Sequence, residues 1–435
     1  MATWQEKRDS MARSFLIAVS GKREDSADTG RGIAACPDRS ALEVKSITMR
    51  RHPLPDYLPE RETIVLRPIL LTSLLASLAT SAFADGTELE LTNQVALVRI
   101  ATAGGSITHF QFIGQFFNPL NWNVGGPERP EKDKPRAQGH FLCLDRWGAP
   151  SAAEAERGMP FHGEAAQVHW QISQPPTAGP DGIRASMGSR LEMAGLSVRR
   201  DVTLLSGAAV VLVTEHVVNQ RPLGRVYNMV QHPTIGPPFL HATTLVDSNA
   251  TLGLSQDGPL PQSASQANRW PHCRIGERTV NLRHYKPLAS GENDSDVSSY
   301  IFDEATRFGW VTAVTPGARL LLGYLWNTSE YPWLNIWRAQ ARGIVGARGL
   351  EFGTTGLHRP YPELVRRGKL LDRPLVSFID AGESVARSYV MFLLAVPENY
   401  AGVQRIEVAG GKLTLIARDA DSPSLSVNVR LPWPE

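Results

Sequence analysis

Cysteine is scarce in this chain, with three in 435 residues, and that scarcity excludes a disulfide-stapled scaffold or a multi-cysteine zinc module. Charge of one sign is lacking too: 45 Lys and Arg stand against 43 Asp and Glu. No long basic run is interleaved with aromatics, so nucleic acid is not an expected partner. Long apolar runs are also missing. The most apolar stretch, Pro68 to Thr80, falls short of the ~20 residues that a membrane-crossing helix needs. Absent as well are His-Glu-x-x-His, a Walker phosphate loop, G-x-G-x-x-G after a strand and a G-x-S-x-G elbow. Their absence leaves no motif for nucleotide binding, a zinc site or serine-hydrolase chemistry, and neither a cofactor nor a metal is called for.

The short apolar stretch reads as the core of a secretory leader. Arg61 and Arg67 precede it and Ala82-Phe83-Ala84 follows, which places cleavage before Asp85. A periplasmic or secreted protein with no stable membrane insertion after cleavage is therefore expected; a membrane anchor or a buried helix is the alternative. Residues 1–48 are polar and aperiodic and precede Met49-Arg50-Arg51, a plausible start of its own. They read as an extension upstream of the true start, or as disorder if translated. This divides the chain into an extension at 1–48, a signal-peptide region at 49–84 and a mature domain at 85–435. Removing the leader discards Cys36 and leaves Cys143 and Cys273, which either bridge in an oxidising compartment or stay as two buried thiols.

From Asp85 onward, short apolar or alternating runs recur between turn signals: Val95 to Ile100, Val210 to Val218, Trp310 to Val314, Leu320 to Trp326, Ser388 to Ala395, Leu413 to Ala417 and Leu425 to Val429. Their Val, Ile, Leu and Thr suit strands, and 37 Gly with 31 Pro act as punctuation. The expected class is mainly β, a large β-sandwich in one domain. Pro175 to Gly182 and Leu288 to Ser299 read as surface loops.

Four segments carry candidate chemistry. In Gly349-Leu350-Glu351-Phe352-Gly353-Thr354-Thr355-Gly356 a carboxylate sits between apolar neighbours, whose burial would raise its pKa toward that of a useful base. A structural pairing with Arg342 or Arg348 is the competing account. The three glycines would let a substrate approach the backbone closely. In Gln231-His232-Pro233 a histidine ends a run at the edge of a Pro-rich turn, with an ordinary pKa near 6.5 that suits proton donation. Asp145-Arg146-Trp147-Gly148 and Phe161-His162-Gly163-Glu164 supply Arg146 and His162 as substrate-positioning residues, Arg146 being alternatively engaged with Asp145 or Glu164. If Tyr331 to Trp337 is extended, Tyr331, Trp333, Asn335 and Trp337 share one face, an aromatic platform with one amide suited to a sugar ring; core packing is the other use of such aromatics.

The segments of Arg146, His162, His232 and Glu351, in that chain order, resemble the aldose 1-epimerase, or galactose mutarotase-like, superfamily over roughly residues 88 to 431. In that family an early Arg, a His-Gly pair, a mid-chain catalytic His and a late catalytic Glu converge on the open face of a large β-sandwich. The resemblance implies that His232 protonates the ring oxygen while Glu351 removes the anomeric hydroxyl proton of a mono- or oligosaccharide. One departure stands out. The family usually continues from the mid-chain His into an aromatic-Asn-Leu triplet, whereas here Pro233-Thr234-Ile235-Gly236-Pro237-Pro238-Phe239-Leu240 follows, so the substrate need not be a simple hexose. Two other readings stay open: a non-catalytic sugar-binding protein, and a glycoside-cleaving enzyme in which Glu363 or Asp303 partners Glu351.

Overall fold

Each of the seven apolar or alternating runs lies within or overlaps a strand, because β-branched and aromatic residues at alternate positions can cover one face of a sheet while the intervening residues face away. The computed structural model describes residues 87–124, 133–284, 294–341 and 344–433. The expectations for the extension at 1–48 and the leader at 49–84 lie outside these residues.

The chain is mainly β. Among the described residues, eleven strands form one sheet, in the order Glu88–Thr92, Ala96–Ala101, Ile107–Phe112, His140–Asp145, Arg225–Ile235, Ile344–Gly353, Trp333–Ala341, Asp294–Ile301, Leu252–Ser255 and Asn268–Arg269. Ser377–Ile379 also pairs with the Arg225–Ile235 strand. Eight strands form a second sheet, in the order Leu245–Ser248, Phe308–Thr315, Leu320–Asn327, Ser384–Ala395, Val210–Asn219, Leu196–Leu205, Gly182–Leu191 and Gln171–Gly179. Leu142, Met229, Leu350 and Phe352 of the first sheet pack with Val213, Leu322, Tyr324 and Met391 of the second in one buried cluster, which makes a sandwich. A three-stranded sheet, Val403–Ala409, Lys412–Ala417 and Leu425–Asn428, adds a third layer: its Leu413 and Leu415 are buried with Val314, Leu321 and Val390 of the second sheet.

A polar network is enclosed in the sandwich core. Arg200 and Glu215, both fully buried, pair at 2.6 Å. Gln231 donates to Glu215 and to the Tyr331 hydroxyl, and its Oε1 lies 3.1 Å from His140 Nε2. The network thus ties the Val210–Asn219 strand to the Arg225–Ile235 and His140–Asp145 strands, and buried hydrogen bonds of this kind favour one arrangement of two sheets.

Several local expectations differ. The stretch from Pro175, read as a loop, is mostly strand: Gln171–Gly179 is an exposed edge strand with two register shifts, and the edge tolerates Pro175 and Pro176 because one side of an edge strand needs no ladder hydrogen bonds. Residues 294–299 of the second expected loop belong to the Asp294–Ile301 strand, paired on both sides. Tyr331, expected on the aromatic platform, is a core residue. Cys143 and Cys273 are buried free thiols, so the bridged alternative is not realised.

Candidate functional site

Four adjacent strands of the eleven-stranded sheet build the site on its face away from the sandwich core. Phe141 pairs directly with His232, and Asn335 with Glu351. Alternation then sends Leu142, Leu334, Ile336, Leu350 and Phe352 into the core and leaves Phe141, Cys143, Val230, His232, Glu351, Asn335 and Trp337 on the opposite face. A one-residue slip of any of these strands would exchange the two sets.

His232 and Glu351 meet there, with Nε2 3.1 Å from Oε1 and exposures of 4% and 1%. His232 Nδ1 lies 3.0 Å from the Thr234 hydroxyl, and the Phe141 ring stacks on the imidazole at a centroid distance of 4.1 Å. The other carboxylate oxygen, Oε2, accepts a 2.7 Å hydrogen bond from the Trp147 indole N–H. Burial pulls the His232 imidazole down to about 3, with His358 adding to the effect. Burial pushes the Glu351 carboxyl well above its ordinary range, and the Trp147 bond opposes that push. Burial thus favours the uncharged form of both groups, the neutral imidazole and the protonated carboxyl. Glu351 does not pair with Arg348, which is buried and donates to the Leu282 carbonyl; Arg342 lies outside the described residues.

The two loops that face this pair lock onto each other. His162 N donates to the Gly148 carbonyl at 3.0 Å, and Gly148 N donates back to His162 Nδ1 at 3.1 Å. Gly163 bridges Leu144, and a Cβ on it would lie 2.1 Å from the Leu144 carbonyl oxygen. Asp145 and His162 adopt left-handed backbone, φ 82° and 67°, a conformation uncommon outside glycine that surrounding contacts must hold. With Nδ1 so occupied, the His162 ring centroid lies 5.4 Å from His232 and 5.5 Å from His358. Phe161 and Trp337, both half-buried, complete an aromatic rim, Trp337 standing edge-on to His232 at 5.9 Å and to Trp122 at 5.5 Å.

The structure therefore brings His162, His232, Glu351, Asn335 and Trp337 together, and it reassigns Arg146 and Trp333. Arg146 spends its guanidinium on Asp145, at 2.6 Å, and Glu154, at 2.8 Å. Asp145 is also bound by Arg225, whereas Glu164 accepts from the backbone of Met193 and Ala194. Arg146 has no fork to offer a sugar. Trp333 is 0% exposed among Leu254, Ile301, Leu357, Leu364 and Leu375, with its indole N–H given to the Pro374 carbonyl. Nor do the three glycines admit substrate. A Cβ on Gly349 would lie 2.6 Å from Glu351 Oε1, on Gly353 2.4 Å from Val230, and on Gly356 1.9 Å from Trp333, so each makes room for a neighbouring side chain. Of the alternative carboxylates, Glu363 lies 3.9 Å from Arg359 and Asp303 is exposed. Among the described residues no group of three or more His, Cys, Asp or Glu side chains is placed to hold a metal ion.

No protein-family model and no curated protein sequence matches the chain. Solved structures do. A galactose mutarotase related enzyme from Lactobacillus acidophilus aligns at 13% identity over 71% of this chain and 97% of its own, with a TM-score of 0.49. A galactose mutarotase-like protein from Clostridium acetobutylicum aligns at 14% over 70% and 94%, TM-score 0.49. One from Lactobacillus casei aligns at 12% over 71% and 100%, TM-score 0.47. This chain is similar to galactose mutarotase-like proteins. At such identities the similarity concerns the path of the chain and not what the pocket binds.

Sequence reasoning did not single out Phe141, Trp147 and His358. Trp147 stands inside a motif already noted, but only the fold shows that its indole spans from one strand end to a carboxyl 204 positions away. His358, two residues beyond Gly356, has its ring edge-on to Trp147 at 4.7 Å, and burial lowers it to about 3. Nothing local marks it.

Proposed function

We propose that this chain is an exported enzyme of aldose 1-epimerase type, acting on the anomeric centre of a mono- or oligosaccharide. The observation that carries the reading is the buried His232–Glu351 contact at 3.1 Å between aromatic walls. A general acid and a general base within reach of one another, in a site that excludes water, can serve two oxygens bonded to the same carbon.

The ring oxygen and the anomeric hydroxyl replace the direct contact between the two side chains. His232 in its protonated form gives a proton to the ring oxygen as the bond to C1 breaks, and Glu351 takes the proton of the anomeric hydroxyl. The open-chain aldehyde is then bound beside a neutral imidazole and a carboxylic acid, which is the arrangement that burial favours at rest. Rotation about C1–C2 presents the other face of the carbonyl, and closure returns both protons by the reverse transfers. Because the pair begins and ends with the same number of protons, no cofactor takes part. His162 Nε2 and the Asn335 amide oxygen, which has no hydrogen-bond partner among the described residues, are available to the sugar's remaining hydroxyls, and the Trp337 ring offers an apolar face to its C–H groups.

Polarimetry of freshly dissolved α-glucose and α-galactose, widened to a panel of saccharides, tests the reading. Accelerated mutarotation of any of them supports it. Binding without acceleration makes the protein a sugar-binding module, and neither binding nor acceleration across the panel refutes the assignment. Export is tested by N-terminal sequencing of the native protein, which should begin at Asp85; a cytoplasmic protein that retains residues 1–48 refutes it.

A further inference from the structure

Resting on that reading, we propose that Trp147 is a positioning residue for Glu351: its indole N–H holds Oε2, aims Oε1 at His232, and sustains the ionised form of the carboxyl that must accept the sugar's proton. The geometry is specific. Glu351 is 1% exposed, and among the described residues its polar contacts are the Trp147 N–H at 2.7 Å and His232 Nε2 at 3.1 Å. Four strands and one loop surround it. They present His232, Cys143, Asn335 and Trp337 from the neighbouring strands, the bare backbone of Gly349 from its own, and Trp147 from the loop. None of these is a lysine or arginine, and among the described residues no backbone N–H reaches the carboxylate. With no lysine or arginine beside it, the ionised carboxylate depends on N–H donors for its stability: Trp147 serves Oε2 whatever the protonation of His232, which meets Oε1.

Trp147 is itself held in place. It is 2% exposed, and the edge of His358 packs on its ring. The residue before it, Arg146, is fixed to Asp145 and Glu154, and Asp145 to Arg225. The ion pairs that withdraw Arg146 from substrate thus anchor the loop that aims the indole. Loss of a hydrogen bond to a charged group costs about 1.5–3 kcal/mol, or about a tenfold effect or more on a step that needs the charged form.

Trp147→Phe keeps an aromatic ring and removes the N–H. The acid limb of its kcat/KM profile for mutarotation should move to higher pH, and turnover should fall about tenfold or more with KM little changed. A loss of packing alone would lower activity without moving that limb. Two readouts need no catalysis: the carboxyl infrared band of Glu351, identified by its loss in Glu351→Gln, should titrate at higher pH in Trp147→Phe, and the Trp147 indole N–H resonance in the unmodified protein should follow that titration. If the wild-type protein does not speed mutarotation, the enzymatic reading fails while these two measurements still decide the role of Trp147. If Trp147→Phe does not fold, the indole resonance decides alone. An indole signal indifferent to Glu351, or a Trp147→Phe protein whose acid limb and carboxyl titration match wild type, overturns the proposal.

Discussion

Glu351 and His232 show how one residue's chemistry depends on what its neighbours withhold. Among the described residues neither has a lysine, arginine or aspartate partner, so burial decides their proton affinities, raising one and lowering the other. Glu351→Gln keeps the size and the bond to Trp147 but cannot accept a proton, so turnover should fall by roughly 10²-fold or more with sugar affinity nearly kept, and His232→Asn should behave alike. Because both act in one proton relay, the double variant should lose less than the product of the single losses. The check is mutarotation by each purified, folded variant; near wild-type rates in either single variant would remove that residue from the mechanism. The glutamate was legible in the sequence as a carboxyl between apolar neighbours; the histidine, expected to end its run at the Pro-rich turn, instead lies inside the Arg225–Ile235 strand, which continues through Pro233 and pairs on both sides. Their mutual contact was not legible, since 119 positions separate 232 from 351.

At the scale of the strand, period-two alternation places Trp333, Asn335 and Trp337 on one face, as read from the sequence, yet they serve different purposes. Trp333 lies where that face is roofed by the segment that includes the Tyr361–Arg367 helix and Leu375, so it joins a core. Trp337, two pairs along, stays at the rim beside His232. Alternation specifies a face; what covers each part of it is set by segments distant in sequence. Trp333→Ala should cost about 3–5 kcal/mol of stability, measured by urea unfolding. Trp337→Ala should leave the unfolding midpoint close to wild type and weaken sugar binding by a few kcal/mol at most, measured by titration calorimetry. Unfolding of the second variant with no separable binding defect would assign Trp337 to the core as well.

For the whole molecule, four buried or half-buried imidazoles, His140, His162, His232 and His358, are each held below their ordinary pKa, with burial the first cause. On unfolding they return to about 6.5, so at mildly acid pH the unfolded chain binds more protons than the folded one and stability falls as pH drops through that value. Glu351 has the opposite sign: its raised folded value favours the folded state at low pH, and that benefit is lost as pH rises above the unfolded value of about 4.5. Glu330 is raised by burial as well; four imidazoles outweigh these two carboxyls, so the urea midpoint should decline from about pH 7 to about pH 5, and His140→Asn should flatten the decline; a midpoint independent of pH would contradict the burial of these rings. By itself, the sequence determined seven of the strands and the mainly-β class and put forward Glu351 and His232 as candidates, because alternation, turn residues and a polar group in an apolar frame are local properties. The tertiary structure alone decided that Arg146 anchors a loop, that Trp333 and the glycines serve packing, and that Trp147 and His358 stand beside Glu351 and His162. Those outcomes depend on which side chains meet across two sheets and their loops, and sequence spacing does not encode such a meeting.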